Sequence, residues 1–177
     1  MIETDRLILR PPTDADRPAI AALNADPRVG EWLSGPLTPA ESDALVDRIL
    51  AMIAEHGFGF WAVERKADGA VIGLAGLLAM GADLPPGPAL EVGWRFVPES
   101  WGHGYATEAA RAAVDWGFAT QPNDEIVAIT AYNNLRSQAV MERIGMVRDP
   151  AADFLHPKLS EDHPLRPHVT YRLKRGS

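Results

Sequence analysis

The chain's clearest chemical capacity lies between Arg95 and Glu108, in the run RFVPESWGHGYATE. An extended segment stops at Pro98, a turn containing Gly102 and Gly104 follows, and a helix rich in small residues opens at once. Such a turn leaves the first N–H groups of the helix unpaired, with the positive end of its dipole behind them. Glycine removes the Cβ that would hold an anion away from the backbone. The run Trp101–Thr107 therefore has the makings of a phosphate or pyrophosphate cradle, and the plain alternative is a tight turn only. Other known loops fit badly. No Gly-Lys-Ser/Thr follows, as a Walker loop requires, and no Gly-x-Ser-x-Gly elbow occurs. The acids Asp124 and Glu125 precede the next strand instead of closing it, which disfavours a nicotinamide dinucleotide.

The elements that must position this turn follow from periodicity. Residues 5–10 (DRLILR) read as a strand, and PPTDAD caps a helix over about 15–25. A second helix opens at Leu37-Thr38-Pro39, carries Ala44, Leu45, Ile49, Met52 and Ile53 at helical spacing, and ends at Gly57. GFWAVERK and AVIGLAGLLAM form strands joined by Ala67-Asp68-Gly69, and ALEVGWRFV forms a third, stopped at Pro98. A helix over 104–119 places Ala106, Ala110, Ala113, Val114 and Phe118 on one stripe. Strand EIVAITAY, a helix over 134–145 and a short strand follow; 149–168 is irregular and rich in Pro and His. In the closing VTYRLK, Val169, Tyr171 and Leu173 alternate as in a half-buried strand. A helical entry, an antiparallel meander and then strand–helix–strand–helix–strand predict a mixed α/β (α+β) sheet flanked by helices, as a single domain over 1–177.

Composition narrows the function class. The chain has 177 residues, 46% hydrophobic and 23% charged, enough for one well-buried core. It has no cysteine, so thiol nucleophiles, thiolate zinc sites and disulfides are excluded and a reducing, cytoplasmic setting is expected. MIETDRLILR has charges among its first residues and no apolar core, unlike a secretory signal. The net charge is −7, from 17 Lys+Arg against 24 Asp+Glu, and no basic tract offsets it. That argues against nucleic-acid and anionic-membrane partners and suits an amine-bearing one.

The ordered combination of segments resembles the GNAT acetyltransferase superfamily, in particular the branch of ribosomal-protein N-terminal alanine acetyltransferases. LEVGWRFVPESWGHGYATEA is similar to that branch's central strand and acetyl-CoA loop. Asn134-Leu135-Arg136-Ser137 followed by MERIGM is similar to its Asn-x-x-Ser helix, TDRLILRPPTDAD to its first strand and VTYRLK to its last. Trp101 stands where many superfamily members carry Gln or Arg, although this branch often has Trp-Gly there. The resemblance implies a GNAT-like fold in which two parallel strands splay near Gly93 to admit acetyl-CoA. It implies that the amides of Gly102, His103, Gly104, Tyr105, Ala106 and Thr107 hold the pyrophosphate, with Trp101 at the start of the same cofactor-binding run. The strand edge at Phe96 and Val97 would pair with the pantetheine arm, Asn134 would bond that arm, and Ser137 would lie near the sulfur.

The implied activity is transfer of an acetyl group from acetyl-CoA to a primary amine, on a protein N-terminus or a small molecule, by direct attack in a ternary complex. No cysteine is present to carry the acyl group. Glu91 is the candidate base, because a charge on a central strand is costly without a purpose. The alternative for Glu91 is a salt bridge to Arg95 on the same face. Ser137 is the candidate acid, and its alternative is a capping or packing hydroxyl. The Val97 N–H is a candidate oxyanion donor. Arg111, Arg136 and Arg143 are candidates for the 3′-phosphate. Tyr105 reads as packing beside the cofactor, His103 as a solvated turn residue, and Trp32 and Trp61 as core or cleft wall. His156, His163 and His168 lack the spacing of metal ligands, and no metal is expected. A non-catalytic acetyl-CoA sensor is the competing function, and a homodimer is compatible with either. Loops around 30–38, 79–88 and 150–168 are the expected acceptor walls.

Overall fold

A computed structural model describes every residue except Ser34 and Ser177, so one position of the expected 30–38 loop lies outside the described residues. The chain opens with a hairpin of β1 (Ile2–Glu3) and β2 (Leu7–Arg10) where one strand was expected over 5–10. Helices α1 (Arg17–Ala25), α2 (Pro27–Gly30) and α3 (Pro39–His56) follow. The start of α3 is set by a capping box, in which Thr38 and Glu41 satisfy each other's backbone N–H. It ends at Gly57, whose φ of +77° suits a residue without Cβ.

The meander is β3 (Phe60–Arg65), β4 (Ala70–Met80) and β5 (Ala89–Phe96), each antiparallel to the last. Then come α4 (Tyr105–Thr120), β6 (Glu125–Ala131), α5 (Leu135–Arg143), β7 (Val147–Arg148), β8 (Phe154–Leu155) and β9 (Pro167–Lys174). The strands form a single sheet in the order β1-β2-β3-β4-β5-β6-β9-β7, with β8 also on β9. β5 and β6 run parallel and the other pairs antiparallel, so the sheet is mixed as expected.

Side-chain alternation assigns each strand's residues to two cores. Leu7, Leu9, Val92, Phe96, Ile126, Ala128 and Tyr171 pack under α4 and α5 with Ala110, Ala113 and Met141. Phe60 and Leu74 turn to the opposite face and meet Ile20 and Leu23 of α1 and Val46 and Ile49 of α3. Each fully buried Leu or Ile contributes roughly 1.5–3 kcal/mol to holding its helix on the sheet. The position of α4 matters most for function, since its alanine stripe brings the helix N-terminus close to the end of β5.

Candidate functional site

The site begins where β5 and β6 part. Their pairing is limited to Leu90–Ile126 and Glu91–Val127, yet β5 continues to Phe96 and β6 to Ala131. The opening starts beside Gly93, and a Cβ there would lie 2.9 Å from Cζ of Phe60. The Phe60 ring therefore crosses β5 at a position that only glycine leaves free.

At the mouth of the opening, Gly102 and Gly104 both adopt φ of +80°, which other residues rarely do. The Trp101 N–H donates to the Pro98 carbonyl at 3.1 Å, and the Glu108 N–H donates to the Gly104 carbonyl at 3.0 Å. Between them, from Gly102 to Thr107, no backbone N–H has an acceptor among the described residues. Gly104 caps α4 without a side chain, so no side-chain cap bond occupies these donors among the described residues. The turn expected from sequence is thus an array of free donors.

The strand edge differs from expectation. The Val97 N–H donates to the Ile72 carbonyl at 3.0 Å, which removes it as an oxyanion donor. The Val97 carbonyl accepts from the Ser100 N–H at 2.9 Å and the Ser100 hydroxyl at 2.7 Å. The Phe96 carbonyl accepts from the Trp101 indole at 2.8 Å. Antiparallel pairing alternates direction residue by residue, so Val97, Arg95 and Gly93 face β4 while Trp94 and Phe96 face the opening. The free edge groups are the Trp94 N–H and carbonyl and the Phe96 N–H. Trp94 was missed, because its direction depends on the β4 register, which no local pattern reveals.

Across the opening, Asn134 is buried and caps α5: its Oδ1 accepts from the Ser137 N–H at 3.2 Å, and its Nδ2 donates to Thr130 Oγ1 at 3.1 Å. Asn134 is therefore the cap, and the Ser137 hydroxyl is left without a hydrogen bond of its own among the described residues. Arg136 lays its guanidinium 4.9 Å from the centre of the Trp101 ring, spanning the mouth from α5 to the turn. Arg111 instead donates to the Arg143 carbonyl, tying α4 to the end of α5.

Glu91, Gly93 and Arg95 share the face turned away from α4. The alternative reading of Glu91, a salt bridge to Arg95, finds no such pair among the described residues. Four residues of strand separate the two by about 13 Å, and the Phe60 ring lies over Gly93 between them. Arg95 donates to Asn24 Oδ1 at 3.0 Å, and Asn24 donates to Ser42 Oγ at 2.9 Å. Burial lowers the Arg95 guanidinium to about 10 and pushes the Glu91 carboxyl up to about 7. A carboxyl so placed exchanges its proton near neutrality, as a general base must.

Farther along this face, the rings of His156 and His168 lie 4.8 Å apart beside Phe154. Burial holds both imidazoles below their ordinary range. His163 accepts the Leu165 N–H at 3.2 Å. No three His, Cys, Asp or Glu gather to hold a metal among the described residues. Trp61 is buried and meets Trp116 edge-on, Trp32 is half-buried, and Tyr105 turns its ring beneath Arg6. No helix of the described residues is long and apolar enough to cross a membrane.

Comparison with known proteins identifies the family of the chain and its fold. Residues 6–147 match the acetyltransferase (GNAT) domain family. YkkB of Bacillus subtilis, an uncharacterized protein, is 31% identical over 144 residues, covering 81% of this chain and 83% of its own. A putative ribosomal N-acetyltransferase of the same organism, YdaF, is 27% identical over 143 residues, covering 80% and 76%. The crystal structure of an acetyltransferase from Agrobacterium tumefaciens superposes with a TM-score of 0.78 at 31% identity, covering 98% and 94%.

Proposed function

The chain belongs to the GNAT acetyltransferase family, and from that membership we propose that it moves an acetyl group from acetyl-CoA to a primary amine by direct attack, both substrates being held in one cleft. The observation that carries the reading is the uninterrupted run of free amides from Gly102 to Thr107 at the mouth of the parted strands. Free N–H groups at a helix N-terminus fit a pyrophosphate, and the exposed edge of Trp94 and Phe96 fits the amides of a pantetheine arm as an added strand would. Bound acetyl-CoA would supply an activated thioester.

The remaining work falls to this chain's residues. The Trp94 and Phe96 edge orients the donor and offers an N–H to the thioester carbonyl oxygen in place of the Val97 N–H. Glu91, with its carboxyl near 7, accepts the proton released as the amine adds, directly or across a water. The free hydroxyl of Ser137 hands a proton to the departing sulfur. Arg136 lies at the mouth, where the 3′-phosphate would pass. The half-buried His156–His168 pair, on the same face as Glu91, is the proposed wall for the acceptor. The acceptor class stays at the level of a primary amine, and one domain performs the reaction.

Calorimetric titration with acetyl-CoA tests this reading, run beside NAD and beside Gly104→Val, whose β-branched side chain does not tolerate φ of +80°. Binding of acetyl-CoA but not NAD, lost in a folded variant, is the expected result. An unaffected variant would remove the turn from the site. Release of free thiol with a panel of amines then checks turnover.

A further inference from the structure

The anion turn is tied to the far end of the chain. The Glu108 carboxylate, in the first turn of α4, accepts from Thr4 Oγ1 at 2.6 Å, from the Arg6 N–H at 2.9 Å and from Arg6 Nε at 2.6 Å. Arg6 Nη2 closes the ion pair at 2.6 Å. The same guanidinium donates from Nη1 to the His103 carbonyl at 2.9 Å and stacks 4.6 Å from the centre of the Tyr105 ring. Burial pushes the Glu108 carboxyl up, but the bonds from Thr4 and Arg6 outweigh it and hold the carboxyl below its ordinary value.

A trans peptide carries its C=O and N–H on opposite edges. Holding the His103 carbonyl towards Arg6 therefore turns the Gly104 N–H the other way. With glycines at 102 and 104, the turn has little intrinsic preference for this orientation. The orientation has to be imposed from outside, and Arg6 is the group that reaches both the turn and the helix.

We propose that Arg6 is a positioning residue for the acetyl donor: by gripping the His103 carbonyl and the Glu108 carboxylate together, it presets the Gly104 amide and the turn around it before the donor arrives. The inference rests on the reading that the amides of Gly102–Thr107 hold a pyrophosphate. Arg6 spends its charge on Glu108 and acts through the backbone, and Thr4 completes the clamp from the hairpin.

The test compares binding of acetyl-CoA with that of acetyl-pantetheine, which lacks the pyrophosphate, in the wild-type chain, Arg6→Ala and Arg6→Lys. Wild type is expected to favour acetyl-CoA; equal affinity for both donors would sink the pyrophosphate reading and the clamp with it. Given that preference, Arg6→Ala should weaken acetyl-CoA roughly tenfold and leave acetyl-pantetheine within about twofold, because only preorganisation of the turn is lost. Equal weakening of both donors would mean that Arg6 merely supports the fold and would overturn the proposal. Arg6→Lys keeps the charge, but its single nitrogen lacks the rigid spread with which the guanidinium reaches the His103 carbonyl and the Glu108 carboxylate together, so it should fall between the others. Full affinity in Arg6→Lys would show that charge suffices and would also overturn it. If Arg6→Ala does not fold, the lysine variant decides alone on the same two donors.

Discussion

Glu91 is a carboxylic acid on a central strand with no counter-ion among the described residues, and its chemistry follows from that burial. Its folded pKa lies above the ordinary value of 4.5, at about 7, so the folded chain prefers the protonated form. The stability this contributes is full below about pH 4.5 and is lost as pH rises through about 7. Glu91→Gln removes the cost of burying the charge, so it should raise thermal stability by about 1–3 kcal/mol at pH 8 and by almost nothing at pH 4.5. Activity should move the other way: kcat/KM should drop about a hundredfold, and its limb near pH 7 should vanish from the pH–rate profile. A retained limb would assign the base elsewhere. Ser137→Ala makes a smaller change, since the hydroxyl holds nothing in place. Turnover should fall roughly tenfold or more with the melting temperature unmoved, and a parallel loss of stability would point to packing. Sequence reasoning proposed both residues, and for Glu91 it left one alternative, a salt bridge to Arg95. The salt bridge to Arg95 failed because an aromatic ring from β3 lies over Gly93, a contact no spacing along β5 reveals.

Among the elements, those that follow a long regular period were legible: β4 over 70–80 and the stripe of α4 lie where alternation and helical spacing put them. The hairpin partner β1, the single-turn α2 and the two-residue β8 are too short to carry any period and were missed. The glycine turn ahead of α4 was legible as a turn because its glycines and the following helix are local. The open edge was misassigned to Val97 because it depends on pairing with β4. α5 gives the clearest prediction at this scale. Asn134→Ala removes its cap and the tie to Thr130, costing about 1 kcal/mol in chemical denaturation. The same change loosens the first turn carrying Ser137 but keeps its hydroxyl, so turnover should fall by no more than in Ser137→Ala. A larger loss would give Asn134 a role in the site beyond holding that turn.

For the molecule as a whole, a ligand that binds only the folded chain raises its stability by mass action. Acetyl-CoA at about a hundred times its dissociation constant should add about 2.7 kcal/mol, read as an upward shift in melting temperature. The shift should shrink in Gly104→Val. No shift in the wild-type chain would contradict the proposed site.

The parting of β5 from β6 after Glu91 also has a mechanical meaning. On one side stands the block β1 to β5, on the other β6 with β9 and its short companions, and Leu90 and Glu91 form the fastening between them within the sheet. Such a sheet resembles a zip left half closed. A donor lying along Trp94 and Phe96 would fasten the rest, stiffening the seam while it reacts and letting it breathe once the product leaves.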